Sequence, residues 1–278
     1  MKKIKIIIVG DQNVEIGTHV TLYSLLNKSS YNFHDIYYIT KNSSLELKYK
    51  LSESLKSFKD RYILHVIEFD DNMFLNYKEL HGNTFVYSKL ALANLIDCKI
   101  ALYIDIDVVV NIDIYEFEEY IKLGEDYIIM ANQEGTFETC LEKDLYLSQL
   151  HLNNQKYYNT GVMLVNLDKW RDNELYEKFL KFATQHYKQL KTADQTVING
   201  VISEELIGSL PDKFNLRVEN MSTKNKYQDK IAILHFYGRP KPWDLFAEYI
   251  HPHYKTFKTV LNKTYFKNYK SFTNLQIP

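Results

Sequence analysis

The sequence predicts an α/β fold in which a mostly parallel central sheet is covered by helices on both faces. Short β-branched runs alternate with segments whose apolar residues recur at helical spacing, and this alternation is typical of parallel sheets with helical connections. The chain has 278 residues, 45% hydrophobic and 25% charged, so a core can form without disulfides or structural metal. This length fits one large α/β domain or two small ones.

The first part of the chain supplies alternating strands and helices. Ile4–Val9 is β-branched and ends at Gly10, which is typical of a buried strand. His19–Leu26 carries apolar residues at helical spacing, and Ser44–Phe58 is an amphipathic helix opened by serines. By the same patterns we expect strands at His34–Thr40, Tyr62–Phe69 and Ile100–Ile104, and a helix at Phe85–Ile96.

The second part of the chain continues the alternation around one long polar segment. Asn132–Tyr158 is polar and irregular, and we interpret it as a lid or acceptor loop. Strands are predicted at Tyr127–Ala131, Gly161–Leu167 and Ile231–Phe236, and helices at Leu175–Leu190 and Gln195–Ile202. The last strand is followed by the loop sequence GRPKPW.

Composition excludes several classes of protein. With 34 basic and 35 acidic side chains, the net charge of −1 gives no footprint for nucleic acid over the whole chain. Two cysteines, Cys98 and Cys140, form neither a disulfide framework nor a cysteine-based zinc site. No apolar run approaches the roughly 18 residues of a membrane span. The start MKKIKIIIVG lacks a cleavage site, so we expect a cytoplasmic protein.

Familiar cofactor and catalytic motifs are also missing. No G-x-G-x-x-G follows the first strand, and the sequence contains neither G-x-x-x-x-G-K-[ST] nor G-x-S-x-G. These absences argue against dinucleotide-dependent redox enzymes, P-loop enzymes and α/β-hydrolases.

Asp105 and Asp107 are the most informative residues because they interrupt the apolar run ALYIDIDVVV at i and i+2. At the end of a strand they would project into the crevice where open α/β sheets bind ligands. Two close carboxylates repel each other unless a cation lies between them, and oxygen ligands suit Mg²⁺ or Mn²⁺. The alternative is that both residues only end a strand at the surface.

Other polar residues follow predicted strands. His235 lies at the end of the strand IAILHF, and the alternative to a binding role is a structural histidine. Gly238 and Lys241 follow it, and a glycine and a lysine at this spacing can wrap a phosphate group. Asp11 and Asn13 follow the first strand, where turn chemistry also favours them. Asp194 opens a predicted helix, where a simple N-cap would explain it.

Four segments in one order resemble glycosyltransferase family 8, a group of retaining enzymes that includes bacterial lipooligosaccharide α-galactosyltransferases and glycogenin. The segments are YIDIDVVV at Tyr103–Val110, YYNTGVMLVNLDKWR at Tyr157–Arg171, ADQTVING at Ala193–Gly200 and HFYGRPKPW at His235–Trp243. The resemblance runs from about Lys3 to Trp243. It implies a GT-A-like single domain at 1–248 with a Rossmann-like nucleotide-binding half.

The resemblance also implies roles for individual residues. Asp105, Asp107 and His235 would bind Mn²⁺, or Mg²⁺, which bridges the diphosphate of a UDP-sugar donor. The donor would contact Val9, Asp11, Asn13, Lys89, Asp105, Ile106, Glu134, Thr160, Gly238 and Lys241. Asn159, Asp194 and Gln195 would lie around the donor sugar as the catalytic set, with Gln195 nearest the anomeric carbon.

Four departures from the family pattern surround the donor sugar. Lys89 stands where the family usually has Arg, and Thr160 stands where Ala is usual. Relatives often read D-Q-D where this chain has Asp194-Gln195-Thr196, and Glu134 falls where relatives often carry Asp. These changes bear on the identity of the donor hexose and not on the reaction class. The resemblance implies an α-linking transferase of galactose or glucose, with a glycan, glycolipid or glycoprotein acceptor. A sugar nucleotidyltransferase and an inactive nucleotide-sugar-binding protein are the alternatives.

The segment 249–278 differs in composition from the rest. It contains no acidic residue and five lysines, at positions 255, 258, 263, 267 and 270. Between them lie Tyr254, Phe257, Tyr265, Phe266, Tyr269 and Phe272. A basic and aromatic tail suits peripheral contact with anionic lipid at the inner face of the plasma membrane. The alternative is a docked helix that follows a turn at His251-Pro252-His253.

Overall fold

The computed structural model describes residues 3–80, 82–218, 231–251 and 253–270. In these ranges the strands are Lys3–Val9 (β1), Phe33–Thr40 (β2), Tyr62–Glu68 (β3), Ile100–Ile104 (β4), Val108–Val110 (β5), Ile129–Thr136 (β6), Lys156–Asn166 (β7), Ile207–Ser209 (β8), Leu216–Val218 (β9) and Ile233–Phe236 (β10). The α-helices are Glu15–Lys28 (α1), Leu45–Leu55 (α2), Leu92–Leu95 (α3), Glu118–Leu123 (α4), Leu167–Asp172 (α5), Leu175–His186 (α6), Asp194–Val201 (α7), Ala247–Ile250 (α8) and Tyr254–Leu261 (α9). Short 3-10 helices lie at Gln12–Val14, Lys56–Phe58, Asn72–Phe74, Phe85–Ala91, Ile114–Phe117, Glu204–Leu206 and Asp212–Phe214, and a π-helical turn lies at Asp144–Gln149. Over these ranges no helix has both the length and the apolar character needed to cross a bilayer.

The central sheet has seven strands in the order β3-β2-β1-β4-β7-β6-β8. Strands β3, β2, β1 and β4 are parallel, β7 is antiparallel to both of its neighbours, and β8 is parallel to β6. Ile6, Ile7 and Ile8 in β1 are fully buried, as expected for a strand covered on both faces. The predicted α/β fold with a mostly parallel sheet is confirmed.

A second sheet of three strands, in the order β5-β10-β9, was not predicted from the sequence. The chain leaves the central sheet at Ile104, turns through Asp105–Asp107 and re-enters extended structure at Val108. There β5 pairs antiparallel with β10, so that Val108 is opposite His235. This pairing brings the two aspartates next to the histidine.

The polar segment Asn132–Tyr158 is less irregular than its sequence indicates. Strand β6 continues to Thr136 and β7 begins at Lys156, and the two strands pair with register shifts at Ala131/Asn132 and Gln133/Gly135. These bulges interrupt the alternation of apolar and polar side chains, so the strand pattern is not visible in the sequence. The predicted helix at Phe85–Ile96 is also mostly 3-10 in form.

The described part of the basic segment, residues 249–251 and 253–270, packs against the rest of the chain. Phe257 and Leu261 in α9 are buried in a cluster with Val20 and Trp243. The Tyr265 backbone N–H donates to Ser54 Oγ at 2.7 Å. Pro252 and residues 271–278 lie outside the described ranges, so the turn expected at His251-Pro252-His253 cannot be followed through its middle residue, and the division at residue 248 stays a prediction.

Candidate active site

A cleft of about 1090 Å³ opens where β1 and β4 end, the edge at which open α/β sheets bind ligands. Every residue that the sequence singled out lines it: Val9, Asp11, Asn13, Lys89, Asp105, Ile106, Asp107, Glu134, Asn159, Thr160, Asp194, Gln195, His235, Gly238 and Lys241. The fold therefore gathers residues from both ends of the chain into one cavity.

Asp105, Asp107 and His235 form a candidate metal centre. One ligand atom from each residue lies within 4.8 Å of the other two. His235 Nε2 is 3.1 Å from Asp107 Oδ1 and 4.0 Å from Asp105 Oδ2. Two carboxylate oxygens and one imidazole nitrogen are a donor set that fits Mn²⁺, so the residues suit the expected metal.

Backbone contacts hold these three side chains in place. The Asp105 N–H donates to the Gly161 carbonyl at 2.7 Å, and the Phe236 N–H donates to the Asp107 carbonyl at 2.9 Å. A Cβ on Gly161 would clash with the His235 ring. The imidazole therefore lies against β7 only because position 161 has no side chain.

Lys241 balances the negative charge of the metal centre. Its ammonium contacts Asp107 Oδ2 and donates to the Phe236 carbonyl at 2.8 Å. Burial alone would raise the pKa of the Asp107 carboxyl, but Lys241 and His235 hold that pKa well below its usual range. Asp107 is therefore a carboxylate at neutral pH, the state that binds a cation.

Lys89 lies at the centre of a second buried charge cluster. Its Nζ is 2.8 Å from Asp194 Oδ2 and 3.2 Å from Asp105 Oδ1, and it donates to the Thr160 carbonyl at 3.2 Å. Burial would lower the pKa of Lys89, but the charges of Asp105 and Asp194 raise it above its ordinary value. The ammonium stays charged although the side chain is only 4% exposed.

Asp194 does not act as the helix cap that its position in the sequence allows. It is the first residue of α7, and its carboxylate accepts from the Thr160 hydroxyl at 3.0 Å in addition to the Lys89 ion pair. Ala193 before it has a positive φ of 52°, which costs free energy in a residue with a side chain. This strained turn points Asp194 and Gln195 into the cleft.

Gln195 belongs to a network of amides and one carboxylate. Its Oε1 accepts from Asn159 Nδ2 at 2.9 Å and from the Thr160 N–H at 3.1 Å. Its Nε2 donates to Glu134 Oε2 at 3.2 Å, and Asn159 Nδ2 donates to the same oxygen at 3.2 Å. Because both ends of the Gln195 amide are bonded, the side chain has one fixed orientation.

Asp11 anchors the opposite side of the cleft. Its carboxylate accepts from the Asn13 N–H at 3.0 Å and from the Asn83 side chain, also at 3.0 Å. Asn83 was not singled out in the sequence.

Behind the Asp105–Asp107 turn, a Cβ on Gly17 would overlap the Ile106 carbonyl and the Trp243 ring. Close packing of α1 against the turn therefore fixes Ile106.

Comparison with known proteins identifies the family. The sequence model described as "Glycosyl transferase family 8" matches residues 5–247, which is most of the chain. The chain belongs to glycosyl transferase family 8. The resemblance seen in the four sequence segments is therefore confirmed.

Individual family 8 relatives are distant. A putative glycosyltransferase of Haemophilus influenzae is 25% identical over 60% of this chain and 51% of its own length. A lipopolysaccharide 1,2-glucosyltransferase of Escherichia coli is 24% identical over 93% of this chain and 78% of its own length. The chain spans about half the length of the Haemophilus protein.

Solved structures in the comparison share the fold. The bifunctional glycosyltransferase WbbM superposes with a TM-score of 0.77 at 20% identity, over 98% of this chain and 52% of WbbM. The galactosyltransferase LgtC, solved with donor and acceptor sugar analogs, gives a TM-score of 0.76 at 20% identity, over 94% of this chain and 96% of LgtC. The predicted GT-A-like fold is confirmed by these superpositions.

Glu142 is a buried carboxylate next to the candidate site that the sequence reasoning missed. Its side chain is 1% exposed, and its Oε1 accepts from the Thr192 N–H at 2.8 Å, the Thr192 hydroxyl at 3.0 Å and the Thr196 hydroxyl at 2.8 Å. Thr192 and Thr196 flank Asp194 and Gln195. The carboxylate of Glu142 therefore holds the start of α7 in place.

We expect Glu142→Ala to lower the free energy of unfolding by about 3 kcal/mol, because the buried hydroxyl and N–H groups that donate to Glu142 would lose their acceptor. Turnover should also fall, since the strained turn before Gln195 loses its support. Denaturant unfolding and donor hydrolysis measure the two effects. Glu138→Ala is the control, because Glu138 lies in the same segment but pairs with Lys143 at the surface. Equal stability of the two variants would contradict the assignment.

Proposed function

We propose that the chain is a metal-dependent, retaining hexosyltransferase that moves galactose or glucose from a UDP-sugar to a hydroxyl group in an α-linkage. The observation that supports this most is that the Asp105, Asp107 and His235 donor set shares one cleft with the Gln195 amide network. The acceptor is a glycan, glycolipid or glycoprotein, and the product is a cell-surface polysaccharide, lipooligosaccharide or glycoprotein glycan made on the cytoplasmic side.

The nucleotide end of the donor fits the side of the cleft lined by Val9, Asp11 and Asn13. The Asp11 carboxylate is suited to accept from uracil or ribose groups, because Asn13 and Asn83 hold it in one orientation. The Lys241 ammonium and the Gly238 backbone lie on the diphosphate side, where a cation stabilises the charge of leaving UDP. A divalent ion held by Asp105, Asp107 and His235 would add Lewis-acid stabilisation of the same charge.

The sugar end fits the network around Asn159, Asp194 and Gln195. When the C1–O bond to UDP breaks, positive charge develops at the anomeric carbon, and the Gln195 carbonyl is oriented to stabilise it. The Asp194 carboxylate is engaged by Lys89 and Thr160, and an amide is a poor nucleophile. We therefore propose attack by the acceptor hydroxyl on the face that UDP leaves, with its proton passing to the departing phosphate.

Two relatives guide the choice of donor sugar. The Escherichia coli relative is named a 1,2-glucosyltransferase and LgtC a galactosyltransferase, and these names support a hexose donor. The residues that depart from the family pattern lie close to Asp194. Lys89 and Thr160 contact its carboxylate, and Thr196 lies in the same helix, α7. A panel of UDP-sugars is therefore the direct test of the donor.

Activity should require a divalent ion and Asp105. We expect Asp105→Asn to lower release of free hexose from UDP-galactose or UDP-glucose about 100-fold, because a charged ligand is lost. EDTA should have a similar effect that Mn²⁺ reverses. The control is Asp172→Asn, an exposed aspartate at the end of α5. Full hydrolysis in EDTA would rule out the metal-dependent mechanism, and no hydrolysis of any UDP-sugar with Mn²⁺ would favour the binding-protein alternative.

Gln195 should act mainly in the transition state. We expect Gln195→Ala to lower kcat for donor hydrolysis about 100-fold with little change in KM. Gln185→Ala, on the exposed face of α6, is the control. Proton NMR of the freshly released hexose should show the α-anomer, as expected for retention. A β-anomer as the first product would contradict this mechanism.

We propose that the basic surface around α9 contacts anionic lipid and so brings the cleft to lipid-linked acceptors. Lys255, Lys263 and Lys267 are exposed, while Leu245 and Tyr269, from the same C-terminal part of the chain, line the cleft. Tyr249 is 76% exposed and Tyr265 is 44% exposed, and aromatic rings of this kind favour the membrane interface. Phe257 and Leu261 are buried, so the lysines and these tyrosines form the contact.

The membrane proposal is tested by charge reversal. Changing Lys255, Lys263 and Lys267 to Glu should abolish binding to anionic liposomes at low salt, because each lysine contributes about 1 kcal/mol near such a surface. The same change at Lys178, Lys181 and Lys188, which are exposed on or just after α6, should leave binding intact. Equal binding of the unchanged protein to anionic and neutral liposomes would refute the proposal.

A further inference from the structure

Asn215 lies between the metal centre and the amide network, and nothing in the sequence marked it. It follows the 3-10 helix Asp212–Phe214 and precedes β9, and its side chain is 4% exposed. Its Oδ1 is 2.8 Å from His235 Nδ1, and its Nδ2 donates to Asn159 Oδ1 at 2.6 Å. One amide therefore bridges a candidate metal ligand and a residue of the sugar end.

The hydrogen-bond pattern allows only one orientation for this amide. The Gly161 backbone N–H, which can only donate, is 2.9 Å from Asn159 Oδ1, so that atom of Asn159 is an oxygen. The Asn215 atom facing this oxygen must then be its NH₂ group, and its carbonyl oxygen faces His235. A carbonyl oxygen only accepts, so His235 carries its proton on Nδ1.

This tautomer is the one that a metal requires. With a proton on Nδ1, His235 Nε2 is the nitrogen left to bind a cation between Asp105 and Asp107; without a cation it lies within hydrogen-bonding distance of Asp107 Oδ1, at 3.1 Å. A hydrogen bond from the second ring nitrogen fixes both the tautomer and the orientation of a ligating imidazole. The same Asn215 side chain holds Asn159, whose NH₂ group donates to Gln195 Oε1.

We propose that Asn215 is a positioning residue that sets the His235 tautomer and, through Asn159, the orientation of Gln195. The part that concerns Gln195 rests on the proposed transferase function, whereas the part that concerns His235 does not. Asn215 touches no donor atom in this scheme. It acts by joining the two ends of the cleft through a continuous chain of hydrogen bonds.

Two substitutions separate the two contacts. Asn215→Ala removes both, so we expect Mn²⁺ affinity, measured by EPR of the free ion, to fall about 10- to 100-fold. Asn215→Asp keeps an acceptor for His235 Nδ1 but loses the donor to Asn159. For this variant we expect Mn²⁺ affinity close to that of the unchanged protein and a kcat for UDP-hexose hydrolysis lowered by about 10-fold or more. Asn166→Ala, a buried asparagine that caps α5 away from the cleft, is the control.

The ¹⁵N NMR spectrum of histidine side chains in the metal-free protein gives a readout independent of activity and of metal. We expect a proton on His235 Nδ1 in the unchanged protein and in Asn215→Asp. In Asn215→Ala the Asp107 carboxylate, 3.1 Å from Nε2, remains as the hydrogen-bond partner of the ring, so we expect the Nε2–H tautomer. An Nε2–H tautomer in the unchanged protein, or unaltered tautomer and Mn²⁺ affinity in Asn215→Ala, would overturn the proposal. If the tautomers behave as expected but no UDP-sugar is hydrolysed, the transferase function fails and the role of Asn215 toward His235 stands.

Discussion

The cleft depends on one buried positive charge. Lys89 brings its ammonium between Asp105, at the end of β4, and Asp194, at the start of α7. An isolated ammonium or carboxylate in the interior is very unfavourable, and a buried carboxylate that loses its partner destabilises the fold strongly. Because Lys89 serves both carboxylates, it ties the central sheet to the helix that bears Gln195. A lysine does this as a point charge, without the fork of an arginine.

The sequence indicates the candidate metal centre at places where apolar strands are interrupted or end, although each residue there also had a structural alternative. Asp105, Asp107 and His235 interrupt or end apolar strands, and the ends of such strands meet at one edge of a sheet. Asn215 and Glu142 were invisible because an asparagine before a three-residue strand and a glutamate in a polar segment are ordinary surface residues. Their burial follows from pairings distant in sequence, such as β9 with β10. The β6-β7 pairing was also not predicted, because the bulges in β6 interrupt the alternation of apolar and polar side chains.

Two buried carboxylates meet at the start of α7. Asp194 is the first residue of the helix, and the Thr196 hydroxyl donates to Glu142. The second negative charge at this helix start therefore comes from another segment of the chain. A carboxylate near a helix N-terminus is favoured by the helix dipole wherever it originates. Thr160 likewise adds a hydroxyl that donates to Asp194.

Gly161 limits which substitutions can be tolerated next to His235. It contributes no ligand and no side-chain hydrogen bond, yet any side chain there would push the His235 ring off its place against β7. The backbone of the same residue also fixes Asp105 and Asn159. A survey of all single replacements would therefore find position 161 as intolerant as Asp105, Asp107 and His235. Selection would therefore retain glycine at this position, because the His235 ring occupies the space that a Cβ would need.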